Sequence, residues 1–244
     1  GFTSAFYLIL NRTEVKKGFF VVNQNLFKKL KPVKASDNKF WAEEILNGGY
    51  ILFFRHAERD KFNDVYTFDR IEAASFNNDK GFNGTRLGEN EYFKDAVCLN
   101  KRGEIQANAM SEIIKLSKLP IGNIISSPIC RARQTAEMVF GRYDSLNKAF
   151  IYKGLFSENE KEREIFVKDY LINLSVKENT NTVITAHTNV LTNDMFEKMN
   201  SKLKVKEGGF YIISNKDNKL ELKHTYDNFS SFSKIFFQRV FNKL

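Results

Sequence analysis

The chain is short of several residues that usually organise a small protein. Its 244 residues include only three prolines, two cysteines, three histidines and one tryptophan. The cysteines, Cys98 and Cys130, form no CxxC pattern, which excludes the paired spacing of a structural zinc module. They are either one disulfide or two buried thiols, and composition does not choose between these. No run reaches the roughly 18 consecutive apolar residues of a membrane-spanning helix, so no integral span is expected. No basic tract with interleaved aromatics marks a nucleic-acid track, so no nucleic-acid partner is expected. There is no internal repeat and no second composition class. One main domain over 37–244, behind an N-terminal extension over 1–36, accounts for the pattern.

What is present is a core-forming chain. Hydrophobic residues make up 42%, which rules out disorder throughout. The 24 phenylalanines reflect coding bias more than function. The net charge of +9 favours anionic partners such as phosphate esters, although most of it is scattered solvating lysine. The N-terminal stretch holds apolar patches at Phe6–Leu10 and Gly18–Val22. The first patch is compatible with the tail of a removed signal segment or with a first strand.

One stretch organises the rest. Tyr50–Phe54 is five apolar residues in a row, which predicts a strand buried on both faces, and Arg55 and His56 follow it directly. A helix over Lys39–Leu46 leads in and ends at Asn47-Gly48-Gly49. Residues 60–98 form a long polar connection without clear periodicity and read as a lid or specificity loop, or as a mobile insertion. A helix over Lys101–Lys118 follows, with Ile105, Ala109, Met110, Ile113, Ile114 and Leu116 as its apolar stripe. Ile124-Ile125 is a short strand. Ser126-Ser127-Pro128 opens the next helix, with Ser as N-cap and Pro at the first helical position, running to Gly141. Further elements are a helix over Glu162–Leu174, a strand over Thr182–Ala186 ending in His187, and a helix over Val190–Met199. A hairpin of Gly208–Ile213 and Leu220–Leu222 turns at Lys216-Asp217-Asn218. Alternating strands and helices imply an α/β protein with a parallel-rich sheet covered on both faces.

Arg55, His56, Arg131 and His187 all fall just past the carboxyl ends of predicted strands, where such sheets collect ligands. Two arginines and two histidines suit a dianion, because guanidinium forks match phosphate oxygens. One imidazole, neutral at its attacking nitrogen, can attack phosphorus while the other groups stabilise the equatorial oxygens. No metal and no cofactor is required by this chemistry. Arg59 is a further cation that reaches substrate phosphate in this reading, whereas Arg133 is a surface or structural partner. His224 carries no motif.

These residues resemble the histidine phosphatase superfamily, in its phosphoglycerate-mutase-like branch. The resemblance is carried by Arg55-His56-Ala57-Glu58, by Leu99-Asn100-Lys101-Arg102-Gly103 with Gln106-Ala107, by Ser126–Ala136 with Arg131, Gln134 and Thr135, and by Ala186-His187. It implies a three-layer α/β/α sandwich with a mostly parallel central sheet. It implies His56 as the phosphorylated nucleophile and Arg55, Arg131 and His187 as the phosphate pocket. It implies a proton donor after the pocket-arginine helix, where Glu158 falls, with Glu160 as second choice. The residue after the second histidine is Thr188, not the Asp of the acid-phosphatase branch. The expected activity is a metal-independent phosphomonoesterase acting on a phosphorylated small molecule or phosphoprotein. The alternatives are a phosphohistidine-protein phosphatase or signalling protein, and a catalytically idle phosphate-binding module. Cys98 and Cys130 both fall near the predicted cleft. A disulfide between them would favour a periplasmic or otherwise extracytoplasmic setting.

Overall fold

The central strand forms where five apolar residues follow a glycine pair, and both of its faces are buried. In the computed structural model this strand, β1 (Ile51–Arg55), has Ile51 to Phe54 without solvent exposure. The structure describes residues 34–75, 89, 93–151 and 159–241. The extension expected over 1–36 lies almost wholly outside the described residues, as do Glu158 and most of 76–92.

Among the described residues the sheet has seven strands. In chain order they are β1, β2 (Ile121–Ser126), β3 (Ser145–Leu146), β4 (Asn181–Ala186), β5 (Lys198–Met199), β6 (Phe210–Ser214) and β7 (Glu221–Tyr226). Their order in space is β3-β2-β4-β1-β6-β7-β5. The pairs β3–β2, β2–β4, β4–β1 and β7–β5 are parallel, and only β1–β6 and β6–β7 are antiparallel. β4 therefore runs between β1 and β2, and all three end at the same edge of the sheet.

Side-chain alternation along the strands divides the core in two. Leu52, Phe54, Val183, Phe210 and Ile212 face one layer. It is built from α1 (Lys34–Glu44), α4 (Lys101–Ser117), α5 (Cys130–Phe140) and α7 (Phe229–Phe241). Ile51, Phe53, Ile184, Tyr211 and Ile213 face the other, covered by α6 (Glu160–Asn173) and the turns around Val190 and Met195. The result is the three-layer α/β/α sandwich that the sequence implied.

Several local expectations are corrected. The connection over 60–98 is not a plain loop: it holds α2 (Val65–Ser75) and the single turn α3 (Lys94–Val97). The expected helix over Val190–Met199 is absent. Two 3-10 turns, Thr188–Val190 and Asn193–Met195, and strand β5 take its place. The Thr and Asn side chains of that stretch compete for backbone hydrogen bonds and disfavour a continuous helix. The helix expected from Pro128 starts at Cys130 instead, with no side-chain cap. The C-terminal helix α7 is an addition to the elements expected from sequence.

The stripe of α4 is rotated from the expected one. Gly103, Ala107, Met110 and Ile114 face inward, while Ile105 and Leu116 are 62% and 61% exposed. Gly103 sets this rotation. A Cβ built there would lie 1.9 Å from the Glu58 carbonyl oxygen, so only glycine admits the loop that follows β1. The hairpin forms as expected, and its turn places Asp217 and Asn218 in the left-handed region at φ 56° and 57°. Asn and Asp tolerate that region better than most side chains.

Candidate active site

The carboxyl ends of β1, β4 and β2 deliver His56, His187 and Arg131 to one place. The rings of His56 and His187 are 5.3 Å apart, centroid to centroid. Both rings and Arg131 are almost fully buried, at 3%, 4% and 2% exposure. The positive charges of Arg131, Arg55 and Arg59 all act on both imidazoles. His56, His187, Arg55 and Arg131 lie together at the strand ends, with Arg59 beside them.

His56 is held in one tautomer. Its Nδ1 donates to the Ala57 carbonyl at 2.7 Å, so the lone pair of the neutral ring lies on Nε2. Burial and then the Arg131 charge push its pKa well below the ordinary imidazole value. His187 is pushed down by the same two causes in the same order. Its Nε2 lies 3.1 Å from Ser127 Oγ, and its Nδ1 is buried with no protein partner. The expected role of Ser127 as a helix cap is corrected. Its hydroxyl lies against the second histidine and also accepts from the Ile129 amide at 3.4 Å, and the helix begins three residues further on.

Each arginine is gripped at one end only. Arg55 donates through Nη1 to the Val205 carbonyl at 3.1 Å and through Nη2 to Glu207 Oε1 at 3.2 Å. Arg131 donates through both Nη atoms to the two carboxylate oxygens of Asp69, at 2.6 and 2.7 Å. Arg59 donates to the Asp60 carbonyl at 2.8 Å. The Nε of all three is buried without a protein partner. Buried donors are nearly always paired, so three unpaired ones on arginines whose charges all act on the two imidazoles mark a site rather than the core.

The motif residues that touch nothing reactive brace this arrangement. Gln106 accepts from the Glu58 amide at 2.9 Å and donates to the Glu207 carbonyl at 2.9 Å, tying the two loops together. Thr135 Oγ1 accepts from the Ala57 amide at 2.9 Å and donates to the Arg131 carbonyl at 2.7 Å. Gln134 accepts from the Leu99 amide. Gly208, at φ +78°, donates its amide to the His56 carbonyl at 3.0 Å. A side chain there would also press on Gln106, 2.8 Å away.

The pairing of Cys98 with Cys130, which composition left open, is a disulfide. It joins the residue before Arg131 to the residue after Val97, whose carbonyl accepts from Arg131 Nη1 at 3.4 Å. Arg133 is a structural residue and not a surface one. It is 1% exposed and donates to Glu72, to Glu89 and to the Pro128 carbonyl. Glu160 stands exposed at the first position of α6, and Glu158 lies outside the described residues. Among the described residues no cluster of three or more His, Cys, Asp or Glu side chains could hold a metal ion.

Sequence reasoning missed Asp69, Glu72, Glu207 and the role of Ser127. A helical signal existed in Val65, Phe68 and Ile71, at spacings of three. It was masked because the buried positions of α2 include two acids, Asp69 and Glu72, in place of apolar residues.

Residues 88–149, which hold the disulfide, α4, β2 and α5, match one family model. It is that of the histidine phosphatase superfamily, branch 1. The histidine phosphatase match contains Arg131 and the bracing residues Gln106, Gln134 and Thr135. The fold adds His56 and His187, which lie outside it. No curated protein matches the chain. Among solved structures, the chain is similar to the protein histidine phosphatase SixA complexed with tungstate. That match has 12% identity and TM-score 0.44, and covers 72% of this chain and 95% of that one. It is similar to phosphoglycerate mutase from Thermus thermophilus, at 16% identity and TM-score 0.40, covering 70% and 95%. It is also similar to phosphoserine phosphatase from Entamoeba histolytica in complex with 3-phosphoglyceric acid, at 14% identity and TM-score 0.41, covering 72% and 95%.

Proposed function

We propose that this protein is a metal-independent phosphomonoesterase that works through a phosphohistidine on His56. The observation that carries the proposal is the group of four buried, unpartnered nitrogens at the strand ends: Nε of Arg55, Arg59 and Arg131, and Nδ1 of His187. Together they supply the donors and the positive charge that a phosphate dianion needs when it is taken out of water.

The chemistry follows from the tautomer. The Nε2 lone pair of His56 attacks phosphorus, the ester P–O bond breaks, and the leaving oxygen takes a proton from a carboxylic acid. Glu158 is assigned that role from its place in the sequence, with Glu160 as the second choice. Water then gives a proton to the carboxylate left by the first step and attacks phosphorus, the P–N bond breaks, and His56, the carboxylic acid and inorganic phosphate are recovered. The depressed pKa of His56 keeps the attacking nitrogen unprotonated at neutral pH. Arg55, Arg131 and His187 hold the equatorial oxygens as charge develops on them, and Arg59 extends that grip toward the substrate. Substrates are phosphorylated small molecules or phosphoproteins.

The test is turnover of an aryl phosphate in the presence of a chelator, with acid-stable and acid-labile label on the protein followed separately. Wild type is expected to turn over and to carry acid-labile phosphate, and His56→Ala to do neither. Chelator-sensitive turnover would refute the metal-independent mechanism. Phosphate binding without turnover would assign the chain to the binding-module alternative.

A further inference from the structure

Arg131 poses a problem for the reading above, on which this inference rests. Its guanidinium is already engaged by a buried carboxylate, with both side chains only 3% and 2% exposed. An arginine neutralised in this way looks unable to serve a phosphate.

The covalent geometry of the group resolves this. A guanidinium has five N–H bonds in one plane. Asp69 takes one from each Nη across the end of the fork. The Val97 carbonyl lies against Nη1 on one side. What remains is the opposite edge, where Nε–H and the second Nη2–H run parallel. That edge carries two donors at the spacing of two phosphate oxygens. Its Nε is buried and has no protein partner. Asp69 and an oxyanion can therefore occupy Arg131 together, on adjacent edges.

We propose that Asp69 is a positioning residue for the phosphoryl-transfer step, fixing the plane of Arg131 so that its Nε edge is the one presented to the substrate. Asp69 sits on α2, and α2 is itself held by a second buried pair one turn on, Glu72 with Arg133 at 2.8 Å. The carboxylate is thus mounted on a braced helix rather than on a free loop. Asparagine cannot do the same work: it offers one acceptor, and its amide N–H bonds face a donor on the other Nη.

Asp69→Asn and Asp69→Glu are measured beside wild type for kcat and KM on an aryl phosphate, for inhibition by orthovanadate, and for urea unfolding. Asp69→Asn is expected to lower kcat about 10²-fold, the scale of losing one preorganised donor, with a smaller change in KM. Orthovanadate inhibition weakens in step with kcat, and Asp69→Glu, which keeps the two-oxygen fork, recovers part of both. If Asp69→Asn does not fold, the double variant Asp69→Ala/Arg131→Ala, which removes both buried charges, decides the matter. In the Arg131→Ala background, Asp69→Ala is expected to leave kcat unchanged. A further loss of kcat on adding Asp69→Ala to Arg131→Ala, or an Asp69→Asn enzyme within threefold of wild type in kcat and vanadate inhibition, overturns the inference. A wild type with no turnover and no stabilisation by tungstate overturns the phosphatase reading beneath it instead.

Discussion

Lowering the pH from 7.5 to 5.5 is expected to weaken the fold through His56 and His187. Both are buried, and burial together with the Arg131 charge holds their folded-state pKa values well below that of a free imidazole. In the unfolded chain each titrates near the ordinary value of about 6.5. Between that value and the lowered one, the unfolded chain binds protons that the folded chain refuses. Stability therefore rises with pH across this window and is lost as pH falls through it. One pH unit of uncompensated proton uptake corresponds to roughly 1 kcal/mol, so each histidine contributes a loss on the order of 1 kcal/mol by pH 5.5. The pair contributes a loss on the order of 2 kcal/mol, a large share of the stability of an ordinary domain. The assay is urea unfolding at both pH values in phosphate-free buffer, comparing wild type with His56→Gln/His187→Gln. The double variant removes both groups and is expected to lose less stability over the same interval, by up to that amount. Equal pH dependence in the two proteins would refute the argument that these imidazoles are buried neutral.

Other consequences can be checked separately. The acid limb of kcat/KM is expected below the ordinary imidazole range, and Arg131→Met, which removes a cation that depresses His56, moves the residual activity's limb to higher pH. Reducing the Cys98–Cys130 bond releases a loop spanning a separation of 32 residues and is expected to cost about 3–4 kcal/mol in urea unfolding with and without reductant. Unchanged stability would mean that the bond is not formed in solution. Gly103→Ala drives a Cβ against the Glu58 carbonyl and is expected to cost about 2–3 kcal/mol by calorimetry, with weakened activity because the same loop carries His56. Arg133→Met breaks the buried pair with Glu72 and is expected to cost about 3–5 kcal/mol, although Arg133 touches no substrate in the proposed mechanism.

The chain's linear order was enough to reveal β1, β2, β4, β6 and β7 and the histidines that follow β1 and β4, but not β3 or β5. Tyr50–Phe54 is an unbroken run of apolar and aromatic residues, and Thr182–Ala186 is β-branched with an apolar centre, patterns that suit strands covered on both faces. The Arg-His pair and the Ser-Ser-Pro-x-x-Arg run carry their chemistry in residue type and spacing, so they could be read without coordinates. Gly141 and the Asp217-Asn218 turn were legible for the same reason, since each needs a backbone conformation that few residues adopt.

What the sequence could not disclose was decided by partners distant along the chain. The face that α4 buries includes Gly103, packed too close to the Glu58 backbone for any side chain, and a glycine does not register as part of an apolar stripe. Pro128 looked like a helix start, but Ser127 is drawn to His187 on another strand, and the helix begins later. Asp69 and Glu72 are acids in a polar stretch, indistinguishable by type from solvated ones. They are buried only because Arg131 and Arg133 lie opposite them in the folded protein. Hydrophobic patterning records what water expels, whereas a buried ion pair depends on two residues that only the tertiary structure brings together.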